Sequence, residues 1–352
     1  MKILFLHMTM GLTNRGSEVV VDELASELTK THDVMVISAG KLDAKKYQFK
    51  RVYPIDIAPP TAPASLMGKL ATRMHLDAES GAVANFTHAA IPDISAFAPD
   101  IIVCINGYTQ LKILRGQALP SKLVYFGHAG IGHHDRSALS LSPSLFVALT
   151  ESAHTWATGR ASTKTKVAYI PNPINAVKAK KIDLKLTSPV VLCVGALSAY
   201  KNILSVVKAV RDTNCSLLLI GDGEMSHELE LELSTMPNEF RWIKQADPED
   251  MPDYYASSDV FCFVPDPQEA FGRVYLEAMM VGLPIVASDD PIRRSIVGEQ
   301  AIYVDPRDTA AISQAITMAS QKDKLDYTSE LAPFALNTVV SQIEKEFHDL
   351  IS

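Results

Sequence analysis

The chain has 352 residues, about twice a typical domain, so two domains are the first expectation. Hydrophobic residues at 47% and charged residues at 21% are the proportions of a soluble globular protein, and no apolar run approaches the roughly 20 residues that span a bilayer. The net charge of −7 gives nucleic-acid binding no support, but it hides an asymmetry: residues 1–174 hold 17 Lys/Arg against 13 Asp/Glu, and residues 175–352 hold 16 against 27.

The opening MKILFLHMTMG is basic, then apolar, but the run is short, lacks a small-residue cleavage pattern and leads into a glycine loop. It reads as a first strand, KILFLH (2–7), and not as a signal peptide. SEVVVDELASELTK (17–30) carries apolar residues at helical spacing. Further strands are expected at DVMVIS (33–38), VYPID (52–56), IIVCI (101–105), KLVYFG (122–127), LFVAL (145–149) and VAYI (167–170). Short apolar strands alternating with helical stretches predict parallel βαβ units. Between them, Lys41, Lys45, Lys46, Lys50 and Arg51 form a basic cluster. It reads either as a solvated surface or as a peripheral contact with an anionic membrane or acceptor. The proline-rich IAPPTAP (57–63) reads as a turn or loop.

PNPIN (171–175) marks a boundary, and the lysine-rich stretch after it suits an exposed linker. The alternation then restarts with PVVLCVG (189–195), SLLLIG (216–221), RWI (241–243), DVFCFV (259–264), PIVA (284–287) and AIYVD (301–305). NILSVVKAVRD (202–212) is an intervening helical stretch, and TVVSQIEKEFHDLI (338–351) a final helix. Of the four cysteines, Cys104, Cys193 and Cys262 lie inside strand-like runs and Cys215 begins one; no Cys/His spacing suggests zinc. All four read as buried thiols of a reducing cytoplasm.

The most informative segment is EAFGRVYLE, bracketed by Glu269 and Glu277. It follows a buried strand and opens a helix near Gly272 that closes at Gly282, before Pro284 starts the next strand. Glu269 then sits in a loop at the carboxyl end of a strand, and Glu277 about two turns into the helix. The helix N-terminus offers free amides and a partial positive charge to an anion. Two carboxylates beside that point can hold hydroxyls of a sugar and of a ribose. In outline this is a nucleotide-sugar site.

The segment resembles the Glu-x7-Glu signature of retaining glycosyltransferases of family 4, and the resemblance runs through EAMMVGLPIVASD (277–289). It implies an α/β fold of GT-B architecture, two Rossmann-like parallel-sheet domains facing across a cleft. Residues 1–174 would be the acceptor domain and 175–337 the donor domain, with the helix 338–352 packing back on the first. The resemblance gives Glu269 the transferred hexose and Glu277 the ribose, with backbone amides supplied by Ala270, Phe271 and Gly272. GALSAYKN (195–202), which includes Ser198, resembles the family's Gly-Arg-Leu-x-x-x-Lys phosphate loop. Lys201 matches its lysine, whereas Ala196 stands where the arginine is usual. Arg273, in the first turn of the helix, either replaces that guanidinium or forms a surface salt bridge. Gly221 and Gly223 resemble a turn near the nucleotide base.

In the first half, Gly16 and Ser17 with Glu18 resemble a Gly-Gly-x-Glu turn admitting a phosphate to the first helix; Glu18 reads equally as a first-turn acid favoured by the helix dipole. His128 is the candidate for a loop histidine touching the transferred sugar, ahead of His133 and His134. Thr150 and Glu151 look structural. Pro173 departs from the glycine usual at the boundary.

The resemblance implies a metal-independent, retaining transfer from a UDP- or GDP-linked sugar to a hydroxyl acceptor in glycan or glycolipid synthesis. No cofactor is implied beyond the donor. A sugar-nucleotide epimerase of the same architecture and a catalytically weak nucleotide-sugar-binding protein are the alternatives. An NAD-dependent oxidoreductase is disfavoured because GLTNRG (11–16) and GDGEMS (221–226) both miss the dinucleotide glycine spacing.

Overall fold

The computed structural model describes residues 1–13, 16–42, 45–53, 66–128 and 130–352. The chain divides into two compact units, Met1–Pro173 with Leu336–Ser352, and Ile174–Ala335.

The first unit runs β1 (Lys2–Leu6), α1 (Gly16–Leu28), β2 (Asp33–Ser38), β3 (Gln48–Arg51), α2 (Leu66–Arg73), α3 (Ala78–Phe97), β4 (Ile101–Cys104), α4 (Gly107–Arg115), β5 (Lys122–Phe126), α5 (His133–Ser140), β6 (Leu145–Ala148), α6 (Glu151–Thr158) and β7 (Lys166–Tyr169). Its strands form a parallel sheet in the order β3-β2-β1-β4-β5-β6-β7. Helices cover such a sheet on both faces, so its central strands are apolar without alternation. Ile3 to Leu6 and Ile101 to Cys104 are all fully buried.

The second unit runs β8 (Val190–Val194), α7 (Ile203–Arg211), β9 (Ser216–Ile220), α8 (Ser226–Ser234), β10 (Phe240–Ile243), α9 (Met251–Ala256), β11 (Val260–Phe263), α10 (Arg273–Met280), β12 (Ile285–Ser288), α11 (Pro291–Val297), β13 (Ile302–Val304), α12 (Thr309–Ala319) and α13 (Thr328–Leu331). Its parallel sheet has the order β10-β9-β8-β11-β12-β13. The last helix, α14 (Leu336–Ile351), belongs to the first unit. It buries Val339, Val340, Ile343 and Phe347 along one stripe, while its polar face pairs Glu346 with Lys166 (2.8 Å) and Glu344 with His32 (3.1 Å).

Three local expectations change. The third strand is Gln48–Arg51, pairing with β2 through Met35 to Ser38; Val52 and Tyr53 of the expected 52–56 follow it outside any strand, and residues 54–56 lie outside the described set, as does the proline-rich 57–63. The stretch after Asn175 is exposed over residues 175–181, as expected, but it is tethered and not free. Lys180 and Ile182 donate backbone amides to Asp253 and Ser257 of the α9 region, and Leu184 is buried. The basic cluster is partly neutralised: Lys45 pairs with Asp22 (3.0 Å), Lys50 with Asp93 (3.1 Å), and Arg51 donates to the Ala39 carbonyl. All four cysteines are free and buried. Among the described residues, no helix is long and apolar enough to cross a membrane.

Both sheets change direction once, between β1 and β4 and between β8 and β11. At such a switch point the flanking loops diverge at the carboxyl ends of the strands and open a crevice where ligands bind.

Candidate active site

The second unit's switch point brings its two flanking loops together. Gly195 to Asn202 leaves β8, and Val264 to Gly272 leaves β11. Asn202 ties them, its side-chain amide donating to the carbonyls of Val264 (2.9 Å) and Pro306 (2.7 Å). The Asp266 amide donates to the Tyr200 carbonyl (2.8 Å). Within this brace the Lys201 ammonium donates to the Glu269 carboxylate. The ammonium also lies 5.2 Å from the Tyr200 ring centroid and 5.6 Å from that of Phe263, within cation–π range. Glu269 itself is nearly buried, its side chain 10% exposed.

The helix α10 begins immediately after this loop. Gly272 is its N-cap at φ 89°, with no side-chain cap; the Tyr275 amide donates back to the Gly272 carbonyl (3.0 Å), and the helix end presents its partial positive charge to the loop. Only glycine fits, because a Cβ would stand 2.9 Å from the Tyr275 ring. Phe271 turns inward against Phe334, so it can offer the site its backbone and not its ring. Ala270 is half-buried. Glu277 accepts from the Tyr255 hydroxyl (2.7 Å) and lies 3.6 Å from the Arg273 guanidinium. Arg273 therefore turns toward Glu277 from the first turn of α10 and is largely buried.

A second pair of loops packs alongside. Gly221, at φ 139°, lies so close to Gly195 that a Cβ would meet its carbonyl oxygen at 2.0 Å, and a Cβ on Gly223 would meet the Leu197 carbonyl at 2.6 Å. The Leu197 amide donates to Asp222 (3.0 Å) and its carbonyl accepts from Met225 (2.9 Å). Both glycines thus exist for backbone contact between the β8 and β9 loops. Trp242 on β10 donates its indole N–H to the Gly221 carbonyl (2.8 Å). The Ser198 hydroxyl is buried and has no hydrogen-bond partner among the described residues. Ala196 is exposed. Asp290 and Asp289 face other tasks: Asp290 caps α11 and Asp289 pairs with Arg294 (2.6 Å).

The first unit has its own polar cluster at its switch point. Gly16 starts α1 and is exposed, with open space where a Cβ would stand. Ser17 donates to Glu18 (3.0 Å), and Glu18 also accepts from Thr9 (2.7 Å) and Thr13 (2.6 Å). Glu18 is a first-turn acid of α1, and a buried one. Burial pushes its pKa up, but His7 and the hydroxyl bonds outweigh this and hold it below the usual value. His7, at the end of β1, is buried and shares a 3.3 Å hydrogen bond with Thr9. Burial lowers its pKa to about 4 against the opposing pull of Glu18. His128 follows β5, and burial, then His7, lowers it to about 4 as well. Both imidazoles are neutral near pH 7, and neither Nε2 has a partner among the described residues. His133 and His134 begin α5, where His133 stacks on His75 (5.1 Å) and His134 meets the same ring edge-on (5.6 Å). Thr150 caps α6 through the Ala153 amide (3.1 Å).

Sequence reasoning missed His7, Asn202, Tyr255, Trp242 and Arg293. His7 was read only as the last residue of a strand. Asn202 adjoins Lys201 and sits at φ 55°, a conformation asparagine tolerates, so its position after the phosphate-loop lysine was the available signal. Arg293 had none, since nothing local in DDPIRR (289–294) distinguishes it from the neighbouring Arg294.

Residues 175–329 match the family described as glycosyl transferases group 1. Over 141 residues the chain is 30% identical to the O-antigen chain mannosyltransferase B of Escherichia coli, covering 38% of this chain and 37% of that protein. Matches to curated relatives extend over only 19% to 45% of their length. Solved structures are alike over nearly the whole chain. The Anabaena protein HepE in complex with UDP and glucose has a TM-score of 0.70 at 19% identity, covering 99% of this chain and all of that one. Trehalose-6-phosphate synthase OtsA has a TM-score of 0.75 at 11% identity, covering 99% of each. The fold is GT-B, two parallel-sheet α/β domains. The group 1 match and the mannosyltransferase relative support a glycosyltransferase.

Proposed function

We propose that the protein is a retaining glycosyltransferase of family 4 that moves a hexose from a UDP- or GDP-linked donor to a hydroxyl acceptor in glycan or glycolipid synthesis. One observation carries this reading. At the second unit's switch point, a lysine, a carboxylate and an uncapped helix N-terminus come together from loops far apart in sequence.

The charge that grows on a departing diphosphate needs neutralising. Lys201, the first-turn amides of α10 and Arg273 supply that without requiring a metal ion. In the free site Glu269 holds the Lys201 ammonium. With donor bound, the ammonium turns to the diphosphate and the carboxylate to hexose hydroxyls. Glu277, oriented by Tyr255, takes the ribose hydroxyls. Gly221 and Gly223 keep the neighbouring loops close beneath the nucleotide. His128, neutral, exchanges a hydrogen bond with the sugar, and Gly16 and Ser17 leave room for a phosphate or acceptor group. The C1–oxygen bond breaks toward the diphosphate, which keeps the electron pair. The acceptor oxygen enters on the same face and gives its proton to that diphosphate oxygen. No enzyme nucleophile is required, so retention follows without a glycosyl-enzyme adduct.

The test is thermal shift and donor turnover against a panel of UDP- and GDP-sugars, with and without EDTA. Nucleotide-dependent stabilisation and EDTA-insensitive turnover are expected. Absence of both stabilisation and turnover refutes the reading, and stabilisation without turnover leaves a binding protein. Peripheral membrane contact through the first unit's basic cluster is part of the proposal, tested by vesicle flotation with Lys45 and Lys46 neutralised.

A further inference from the structure

Arg293 is completely buried, yet it forms no part of the apolar core in function. It sits in the first turn of α11, and its side chain reaches out of the helix to the loop that carries Glu269. Residues Asp266, Pro267, Gln268 and Glu269 make a β-turn closed by the Glu269 amide donating to the Asp266 carbonyl (3.0 Å). The Arg293 guanidinium forks across both ends of this turn. Nη1 donates to the Glu269 carbonyl at 2.7 Å, and Nη2 to the Asp266 carbonyl at 3.3 Å. Its third side, Nε, donates to Asp290 at 2.8 Å.

A planar guanidinium is the one side chain that reaches three acceptors in such a fixed fork. The α11 terminus does not need it, because Asp290 already caps the Ile292 and Arg293 amides (2.9 and 3.0 Å). The adjacent Arg294 shows the ordinary alternative: it lies at the surface, paired with Asp289 and over the Tyr303 ring. Burying a cation is costly unless its donors and its charge are all matched. Here they are matched by the main chain that sets the direction of the Glu269 carboxylate.

We propose that Arg293 is a positioning residue for donor transfer. It locks the Asp266–Glu269 turn so that the Glu269 carboxylate meets Lys201 in the free site and the transferred sugar in the loaded one, and Asp290 holds its charge. This rests on the function proposed above. Lysine at this position keeps the charge but loses the fork, so Arg293→Lys is the informative variant, with Arg293→Gln and Asp290→Asn beside it. The full chain is used for donor kinetics, for calorimetric binding of UDP and GDP, and for a crystal structure of Arg293→Lys.

The expected result is a kcat at least tenfold lower, a nucleoside diphosphate Kd within about threefold of wild type, and a Glu269 carboxylate displaced from Lys201. A lower melting temperature with kcat intact overturns the proposal, as does an unmoved turn in the variant structure. If wild type turns over no nucleotide sugar, the functional reading fails, and the position of the turn in Arg293→Lys still decides the positioning role. If both arginine variants fail to fold, Asp290→Asn, which keeps an amide oxygen for the cap, decides it by the same kinetic split.

Discussion

Lys201 and Glu269 are 68 residues apart in sequence and form an ion pair at the β8/β11 switch point. Each group is mostly shielded from water. Removing one alone leaves the other unpaired in a partly buried site; removing both restores neutrality. Lys201→Met should therefore lower turnover on the order of 100-fold and cost about 2 kcal/mol of stability. In Lys201→Met/Glu269→Gln most of the stability should return while turnover stays low. Denaturant midpoints and donor kinetics on the four species check this, and a double variant with recovered turnover contradicts it.

Arg273 has two readings that kinetics separates. Its guanidinium lies within ion-pair reach of Glu277, yet it also stands in the first turn of α10, the helix whose N-terminus is proposed to meet the diphosphate. If it neutralises the leaving group, Arg273→Ala lowers kcat at saturating donor by about 10- to 100-fold. If it only braces Glu277, donor KM rises and kcat holds. The expected result is the fall in kcat, and unchanged kinetics would remove Arg273 from the mechanism.

His7 and His128 make the first unit sensitive to acid. Both have folded-state pKa values near 4, below the ordinary histidine value of 6.5, because burial disfavours the charged ring. The unfolded chain therefore binds more protons between pH 6.5 and 4, and stability falls as pH drops through that window. Each ring contributes at most about 3 kcal/mol by pH 4, and less jointly because their charges interact. Glu18 has a lowered pKa, so its ionisation adds its own loss only at the acid end. Chemical denaturation at pH 7 and pH 5 should show the decline, and a His7→Gln/His128→Gln variant should flatten it. An equal decline in the variant would contradict the assignment.

Legibility in the sequence followed locality. The parallel strands were readable because a sheet covered on both faces needs uninterrupted apolar runs, and nearly every such run became a strand. The strand Gln48–Arg51 was missed because its sequence carries no apolar run to mark it. Glu269, Gly272 and Glu277 were legible because strand, loop and helix punctuation frame them within one short segment. Their partners were not. Tyr255 reaches Glu277 from α9, Asn202 reaches Val264 from the other loop, and Arg293 reaches Glu269 from α11. Those contacts are made by the sheet order, which no local pattern encodes. Glu18 shows the same limit: its place in the first turn was legible, but its burial under three hydroxyl donors was not.

The turn at Gly221 gives a prediction that depends on packing alone. A methyl group there would fall 2.0 Å from the Gly195 carbonyl oxygen, a main-chain atom in the loop that leads to Lys201. No rotamer change relieves such a clash, and the φ of 139° is strained for any residue with a Cβ. Gly221→Ala should therefore cost about 3 kcal/mol, and the second unit must shift its β8 loop to accept it. Gly16→Ala is the contrast, because its Cβ position is open. Measured by thermal unfolding, Gly221→Ala should lower the transition on the order of 10 °C while Gly16→Ala stays near wild type. Since the displaced loop carries Ser198 and Lys201, nucleotide affinity should fall with Gly221→Ala, and an unchanged affinity would mean that this loop does not hold the diphosphate.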